Sequence, residues 1–350
     1  MKICYFGIYN PSYSRNKLLI RGLRQNGVEV VECNTQKKGA IKYFDLMRKH
    51  WRIRNSYDVM VVGFPGFQSM ILAKLITRKP IIFDAFLSLY DTVVLDRGLA
   101  KKYSFKAGYF WFLDWLSCSL ADKVLLDTFE HINFFARTFK INKNKFYRIL
   151  VGVDDEIFYP RSEPGGRDYF IVHFHGSFIP IHGLKYIIEA ANILREQKII
   201  FNVIGAGQEF KKISKLITEY KLGNTVKIHG LVAEEKLIDL LAGADICLGI
   251  FGDSDKINRI IPNKLYECLA MEKPVITADT PATREVFSDN QLMLCRAGDA
   301  KALAEKIMIL KNDQVLRRKL SANSFSLVKE KFVSNILGQE LKNIASKLIL

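Results

Sequence analysis

The sequence predicts an α/β protein of two Rossmann-like, doubly wound parallel-sheet domains that face each other across a cleft. Three observations support this. Short apolar runs rich in Val, Ile and Phe alternate with helix-like segments along the chain, which is the pattern of βαβ units. The alternation restarts after a polar, Pro/Gly-rich stretch at 161–168, RSEPGGRD, which reads as an interdomain link. At 350 residues the chain is long enough to bury two cores. The expected domains are residues 1–160 and 161–335, with a closing helix over 336–350 that packs back on the first.

In order, the first half offers strands at 3–6, 28–33, 59–63, 81–83, 124–126 and 146–151, and helices that include 16–25 and 68–77. Ligands of such sheets gather at the carboxyl ends of strands, so the loops there hold the candidates. The loop GIYNPSYSRN after the first strand has a single glycine where a dinucleotide fold needs GxGxxG, which argues against an oxidoreductase. Its Tyr13, Ser14 and Arg15 are candidates for holding an acceptor. The loop GFPGFQ can turn tightly at Gly63 and Gly66. In DAFLSLYDTVVLDR, Asp84 and Asp91 follow a buried strand and are candidate catalytic carboxylates, able to orient sugar hydroxyls or assist proton transfer; helix capping is the other role open to them.

The next segment, KKYSFKAGYFWFLDWLSCSL at 101–120, places lysines before a dense run of Tyr, Phe and Trp. That composition suits a helix lying among lipid headgroups, although part of it can equally be core. The charge points the same way. Residues 1–160 carry 25 Lys and Arg against 14 Asp and Glu, whereas 161–350 carry 27 against 22, so the first half faces something anionic. A membrane surface and a phosphorylated substrate are the expected partners, and nucleic acid is not.

Six cysteines lie scattered without CxxC spacing, as reduced, buried thiols do. No metal site and no cofactor are expected. No run approaches the roughly 18 to 20 apolar residues that span a bilayer, and MKICYFG opens a strand and not a signal peptide. The expected location is the cytoplasm, peripheral at the membrane's cytoplasmic face.

In the second half, strand-like FIVHFHG, FNVIGAG, VKIHG and ICLGIFG alternate with helices at 184–196, 208–220 and 234–241. The chemistry concentrates in RIIPNKLYECLAMEKPVI, residues 259–276. A proline suits a helix's first turn, and Asn263 and Lys264 fall where unpaired N–H groups point outward, so an anion there meets donors and a favourable dipole. Glu267 follows one turn later, with Leu265, Leu269 and Met271 on the buried side and a strand at Pro274–Thr277.

The run GVDDEIFYP, then HGSFIPIHGLKYIIEAANIL, VIGAG, VKIHGLV, GADICLGIF and IPNKLYECLAMEKPVITADTPATREVF, resembles the C-terminal domain of GT-B fold retaining glycosyltransferases. That large family includes bacterial mannosyl- and glucosyltransferases and sucrose synthase. The resemblance covers residues 150 to 335 well. It implies transfer of a sugar from a nucleotide-diphosphate donor, with retention and without a metal. It also implies that Glu267 binds the donor's ribose, as the second of the family's paired glutamates. The first falls on Arg259, and the family's Arg and Lys that clamp the diphosphate fall on Ser177 and His182, so the sequence departs from the pattern at three positions. The expectation is that Arg259 and Lys264, with Lys256 near and His182 helping, replace the clamp. Gly176 lets a loop approach the phosphates, and His229 and Gly230 close the strand where the family holds the base. The expected acceptor is lipid-linked or a surface glycan. A nucleotide-sugar 2-epimerase and a non-catalytic nucleotide-sugar-binding subunit are the alternatives.

Overall fold

The computed structural model describes residues 1–161 and 167–349; most of the polar link expected at 161–168 lies outside them. The chain divides into two compact units, one of residues 1–154 with 331–350 and one of residues 155–330.

Unit 1 runs β1 (Lys2–Gly7), α1 (Ser14–Gln25), β2 (Glu29–Asn34), α2 (Ile41–Ile53), β3 (Val59–Val62), α3 (Phe67–Ile76), β4 (Ile81–Phe86), α4 (Phe105–Leu120), β5 (Lys123–Leu126), α5 (Phe129–Phe139) and β6 (Phe146–Arg148). Its six strands are parallel in the order β2-β1-β3-β4-β5-β6. Strands such as β3, VMVV, are apolar throughout and buried on both faces, as a parallel sheet covered by helices requires.

Unit 2 runs β7 (Phe170–His175), α6 (Leu184–Ile193), β8 (Ile199–Ile204), α7 (Phe210–Glu219), β9 (Val226–Gly230), α8 (Glu234–Ala242), β10 (Ile246–Leu248), α9 (Asn263–Ala270), β11 (Val275–Ala278), α10 (Pro281–Arg284), β12 (Met293–Cys295) and α11 (Ala300–Asn312), and α12 (Gln314–Lys331) leads out of it. Its strands are parallel in the order β12-β11-β10-β7-β8-β9. In each sheet the strand order reverses at one point, between β1 and β3 in unit 1 and between β7 and β10 in unit 2. Those are the places where open α/β sheets open a crevice for ligands.

The last helix, α13 (Ser334–Ser346), belongs to unit 1 and crosses α1. Two glycines make the crossing possible. A Cβ on Gly338 would stand 2.0 Å from the Gly22 carbonyl carbon, and one on Gly22 would stand 1.9 Å from the Ser334 carbonyl oxygen. Around that contact, the Arg21 Nε donates to Ser334 Oγ at 2.9 Å, and Ser334 Oγ donates to Gln25 Oε1 at 2.8 Å. The backbone can give little here. Gly338→Ala is therefore expected to lower unit 1's stability by about 1–3 kcal/mol, the range for overpacking, as read from the midpoint of urea unfolding; an unchanged midpoint would show that the helices separate freely.

Candidate functional site

The ligand end of unit 2 is built where β7 stops. Along β7 the sequence FIVHFH sets His173 and His175 on one face and Phe174 on the other, by the two-residue period of a strand. Helix α9 closes over this end with no side chain capping its first turn, so its leading N–H groups point outward. Lys264 and Glu267, three residues apart on α9, project from neighbouring positions and meet the end of β7.

Glu267 Oε2 lies 2.8 Å from His175 Nε2, and His175 Nδ1 lies 3.0 Å from His173 Nε2. The order of donors follows from the carboxylate, which can only accept. His175 therefore carries its proton on Nε2, and His173 donates from Nε2 to His175 Nδ1. Burial holds the His173 imidazole well below its ordinary pKa, with the neighbouring imidazoles adding to the effect, so it serves as a neutral donor. The chain fixes the carboxylate of Glu267, which is 19% exposed. Beside His173 in register stands Asn202 of β8, whose Oδ1 is 3.1 Å from Nε2 of the exposed His229 on β9. A polar layer thus crosses three strands.

Lys264 reaches the opposite side of the strand end. Its ammonium lies 3.8 Å above the centroid of the Phe174 ring and has no hydrogen-bond partner among the described residues, although the residue is only 5% exposed. Burial pushes its pKa well below the ordinary lysine range. Gly176 has a φ of +141°, and a Cβ there would stand 2.7 Å from Lys264 Nζ and 3.1 Å from His182 Cε1. The glycine is what lets both side chains close on the strand end. His182, buried against Phe174, turns its Nδ1 to the Ser177 carbonyl, while Ser177 itself is exposed. Lys256 is buried in the short helical turn Asp255–Asn258, and Arg259 ends it, its N–H donating to the Lys256 carbonyl at 3.0 Å. Asn263 opens α9, and Gly230 ends β9.

The structure thus gathers Gly176, His182, Lys264 and Glu267 at one strand end, with Asn263 at the helix start. Sequence reasoning missed His173 and His175. The available signal was HxH alternation inside an otherwise apolar strand. A separate cavity of about 620 Å³ lies at the amino ends of β7 to β9, lined by Asp168, Lys198 and Lys227 among others, at the end of the sheet that the reversal does not open.

In unit 1 the candidate residues Arg15, Asp84 and Asp91 are all buried. Arg15 and Asp84 are both fully buried and pair with each other: Nη2 lies 2.9 Å from Oδ1, and Nε donates to both carboxylate oxygens. Arg15 Nη1 also donates to the carbonyls of Ile149 and Leu150 at 2.9 and 2.8 Å. The pair ties α1, β4 and the segment after β6 together, and neither side chain keeps surface from which to meet a sugar. Asp91 is likewise buried, at the start of a π-helical turn over 91–96, its N–H donating to Ser88 Oγ. Ser88 Oγ and the Tyr90 N–H in turn donate to Asp114 Oδ2, and the Leu89 N–H to Oδ1; burial raises the Asp114 carboxyl to about 7. Tyr13 packs against Phe64 and Phe86, and Ser14 starts α1 half-buried.

The aromatic segment divides. Trp111 and Trp115 stack on each other and pack on the core, with Trp111 Nε1 donating to the Thr138 carbonyl, whereas Phe105, Tyr109 and Phe112 stay exposed on one face of α4. A second exposed apolar stripe, absent from the sequence reading, runs along α2 through Ile41, Phe44, Met47 and Trp51. All six cysteines are buried and free. Among the described residues no group of three or more His, Cys, Asp or Glu could hold a metal, and no helix is long and apolar enough to cross a membrane.

Two six-stranded parallel sheets with flanking helices define the GT-B class. Across 99% of its length the chain superposes on a sucrose-phosphate synthase from Thermosynechococcus elongatus, with a TM-score of 0.77, 15% identity and 99% of that chain covered. It superposes on HepE of Anabaena, solved with UDP-glucose, with a TM-score of 0.74, 15% identity and 100% of that chain covered. Residues 156–326 match the family model of group 1 glycosyl transferases. CapM of Staphylococcus aureus, a capsular polysaccharide biosynthesis glycosyltransferase, is 39% identical over 83 residues, 23% of this chain and 22% of that protein. WcaL of Escherichia coli K12, whose name associates it with colanic acid biosynthesis, is 30% identical over 133 residues, 36% of this chain and 32% of that protein. The matches span no more than about a third of these curated relatives.

The buried ammonium makes a stability prediction. An unfolded lysine is charged below its ordinary pKa of 10.5, whereas the folded site resists the charge, so folding is penalised as pH falls below 10.5 and the penalty is complete below the lowered folded value. Lys264→Met removes it. The variant is expected to exceed the parent at pH 7 by about 1–4 kcal/mol, the range for replacing buried charge by packed apolar groups, with the gap closing as pH rises toward 10. Urea unfolding at pH 7 and pH 10 measures both; a gap that widens with pH would refute the account.

Proposed function

We propose that the chain is a glycosyltransferase that moves a sugar from a nucleoside-diphosphate donor to a lipid-carried or surface-glycan acceptor, with retention of configuration and without a metal. The observation that carries this reading is the buried Lys264 ammonium, without a hydrogen-bond partner among the described residues, at the uncapped start of α9. A diphosphate is the ligand that would satisfy both the cation and the helix N–H groups. Glu267, oriented by His175, is suited to accept from two ribose hydroxyls. HepE was solved with UDP and with UDP-glucose, which makes UDP-sugars the first donors to try.

In this reaction the bond from the anomeric carbon to the donor's phosphate oxygen breaks as the acceptor oxygen bonds to the same face. The acceptor's proton passes to the leaving phosphate oxygen. Lys264, Arg259 and Lys256, together with the helix terminus, meet the charge that grows on the leaving group. The membrane part of the proposal rests on α2, where Arg48 and Arg52 flank the exposed stripe, and on the exposed face of α4. Free, buried cysteines suit a reducing compartment such as the cytoplasm.

Incubation with radiolabelled UDP-sugars and bacterial lipid extract tests the reading. Label is expected in the lipid fraction, with turnover lowered about 10²–10³-fold by Lys264→Met, the usual effect of losing a transition-state donor, and with the donor KM raised by Glu267→Ala. Free epimer would instead indicate the 2-epimerase, and binding without turnover a nucleotide-sugar-binding subunit. An Arg259→Ala variant with unchanged turnover would remove that residue from the clamp.

Sedimentation with vesicles tests the membrane contact separately. The chain is expected to sediment with phosphatidylglycerol vesicles and not with phosphatidylcholine vesicles, and the double variant Phe44→Ser, Trp51→Ser is expected to stay in the supernatant. Equal sedimentation of parent and variant would exclude α2 as the contact.

A further inference from the structure

Unit 1 holds a cavity of about 280 Å³ whose place in the topology matters more than its size. Ile8 follows β1, Pro65 follows β3 and Leu89 follows β4, so the cavity lies at the carboxyl ends of these strands, beside the β1/β3 reversal. By fold topology this is where unit 1 should take a ligand. Its walls are unlike those of a sugar site. Phe110 and Leu113 of α4 complete a mainly apolar lining, and among the described residues no acidic side chain contributes to it.

Polar groups sit at the edge. Gln68 bridges two helices, accepting from Tyr43 Oη at 2.9 Å and lying 3.4 Å from Tyr109 Oη. The Ser69 hydroxyl inside the lining is used by the Ile8 N–H. Lys42 of α2 supplies the charge of the lining, its ammonium 5.0 Å from the Tyr43 ring centroid. Tyr109 stands at the rim half exposed, and Phe105 and Phe112 continue from it along one face of α4. An apolar slot thus meets an exposed aromatic track, with one cation at its edge.

We infer that this cavity seats the hydrocarbon chain of a single-chain lipid phosphate, the lipid part of the acceptor, with Lys42 meeting the phosphate and the α4 track carrying the rest of the chain toward the membrane. The inference rests on the lipid-carried acceptor proposed above and names its site. A space of about 280 Å³ takes a length of one chain, not the two of a diacyl lipid. The absence of acids from the lining, with Lys42 present, suits a phosphate and disfavours a cationic amphiphile.

Farnesyl phosphate, titrated calorimetrically into the full chain below its micellar concentration, is the probe. It is expected to bind more tightly than inorganic phosphate and more tightly than farnesol, and not to be displaced by a diacyl phosphatidate. Leu89→Trp fills the slot and Gln68→Trp obstructs its exposed rim without altering the core; each is expected to weaken binding about tenfold or more, a loss of about 1.4 kcal/mol. Lys42→Gln is expected to bring farnesyl phosphate down to the affinity of farnesol. Unchanged binding by Gln68→Trp, or equal binding of farnesyl phosphate and inorganic phosphate, overturns the site, and displacement by diacyl phosphatidate overturns the choice of ligand. Transfer to lipid extract separates this from the parent reading: lipid labelling undiminished in both tryptophan variants sinks the cavity and spares the transferase, whereas farnesyl phosphate bound with no lipid labelling sinks the transferase and spares the cavity.

Discussion

Keeping one ammonium group buried with no hydrogen-bond partner among the described residues constrains everything around the end of β7. An unpaired charge in a protein interior is among the most costly arrangements available, and the surrounding residues are chosen to make it tolerable without neutralising it. Phe174 turns the face of its ring to Lys264, which attracts a cation without hydrogen-bonding it. Residue 176 is a glycine because any side chain there would collide with the lysine. The nearest acid on the helix, Glu267, is occupied by His175. Had it paired with Lys264 instead, the cation would be satisfied and the site closed to an anion. The neutral His173 behind His175 completes the arrangement, because a charged imidazole there would compete for the carboxylate and add to the positive field.

The two sheets show one topology finished with opposite chemistry. Both reverse strand order at their first strand's edge, and both gather side chains from the loops at that place. In unit 2 the reversal carries an uncapped helix start and a buried cation. In unit 1 the charges at the strand ends are consumed internally, Arg15 by Asp84 and by two carbonyls, and what remains at the crevice is apolar. An internally satisfied pair of this kind adds little net stability over an apolar substitute but is expensive to break. It fixes the positions of α1 and β4 relative to the segment after β6 whatever ligand is present.

Much of the fold was legible because parallel strands buried on both faces read as unbroken apolar runs, and each expected strand overlaps an observed one. Helix α2 was not, because IKYFDLMRKHWRI has apolar residues on two faces: Leu46 inside, Ile41, Phe44 and Trp51 outside. Periodicity finds a helix by one stripe, and two stripes blur it. At the site, Lys264, Glu267 and Gly176 were readable from a helix start and a strand-end glycine, features that are local in sequence. The partnership of Arg15 with Asp84 joins residues 69 positions apart, and no local pattern reports which of two strand-end charges will find the other. The same holds for His175 and Glu267, which are 92 positions apart. The crossing of α1 and α13 at two glycines is of this kind too. Each glycine alone reads as a weak point in a helix, and only the pair explains both.

The burial of Asp84 and Asp91 bears on the proposed chemistry. A general base must come within hydrogen-bond reach of the proton it takes, and Asp84, with no exposed surface and already holding the Arg15 guanidinium, cannot do so without breaking its pair. With Asp84 engaged in this way, the proposed front-side reaction needs another acceptor for the proton, and the leaving phosphate is already in place. Its basicity rises as the glycosidic bond stretches, so proton transfer and bond breaking reinforce each other. The chain's task then falls on the other side of the ledger, holding the growing negative charge with positively charged and N–H groups that do not give up a proton too early. A lysine whose ammonium is disfavoured by burial meets that demand best with the phosphate beside it, since the anion offsets the cost of the charged form.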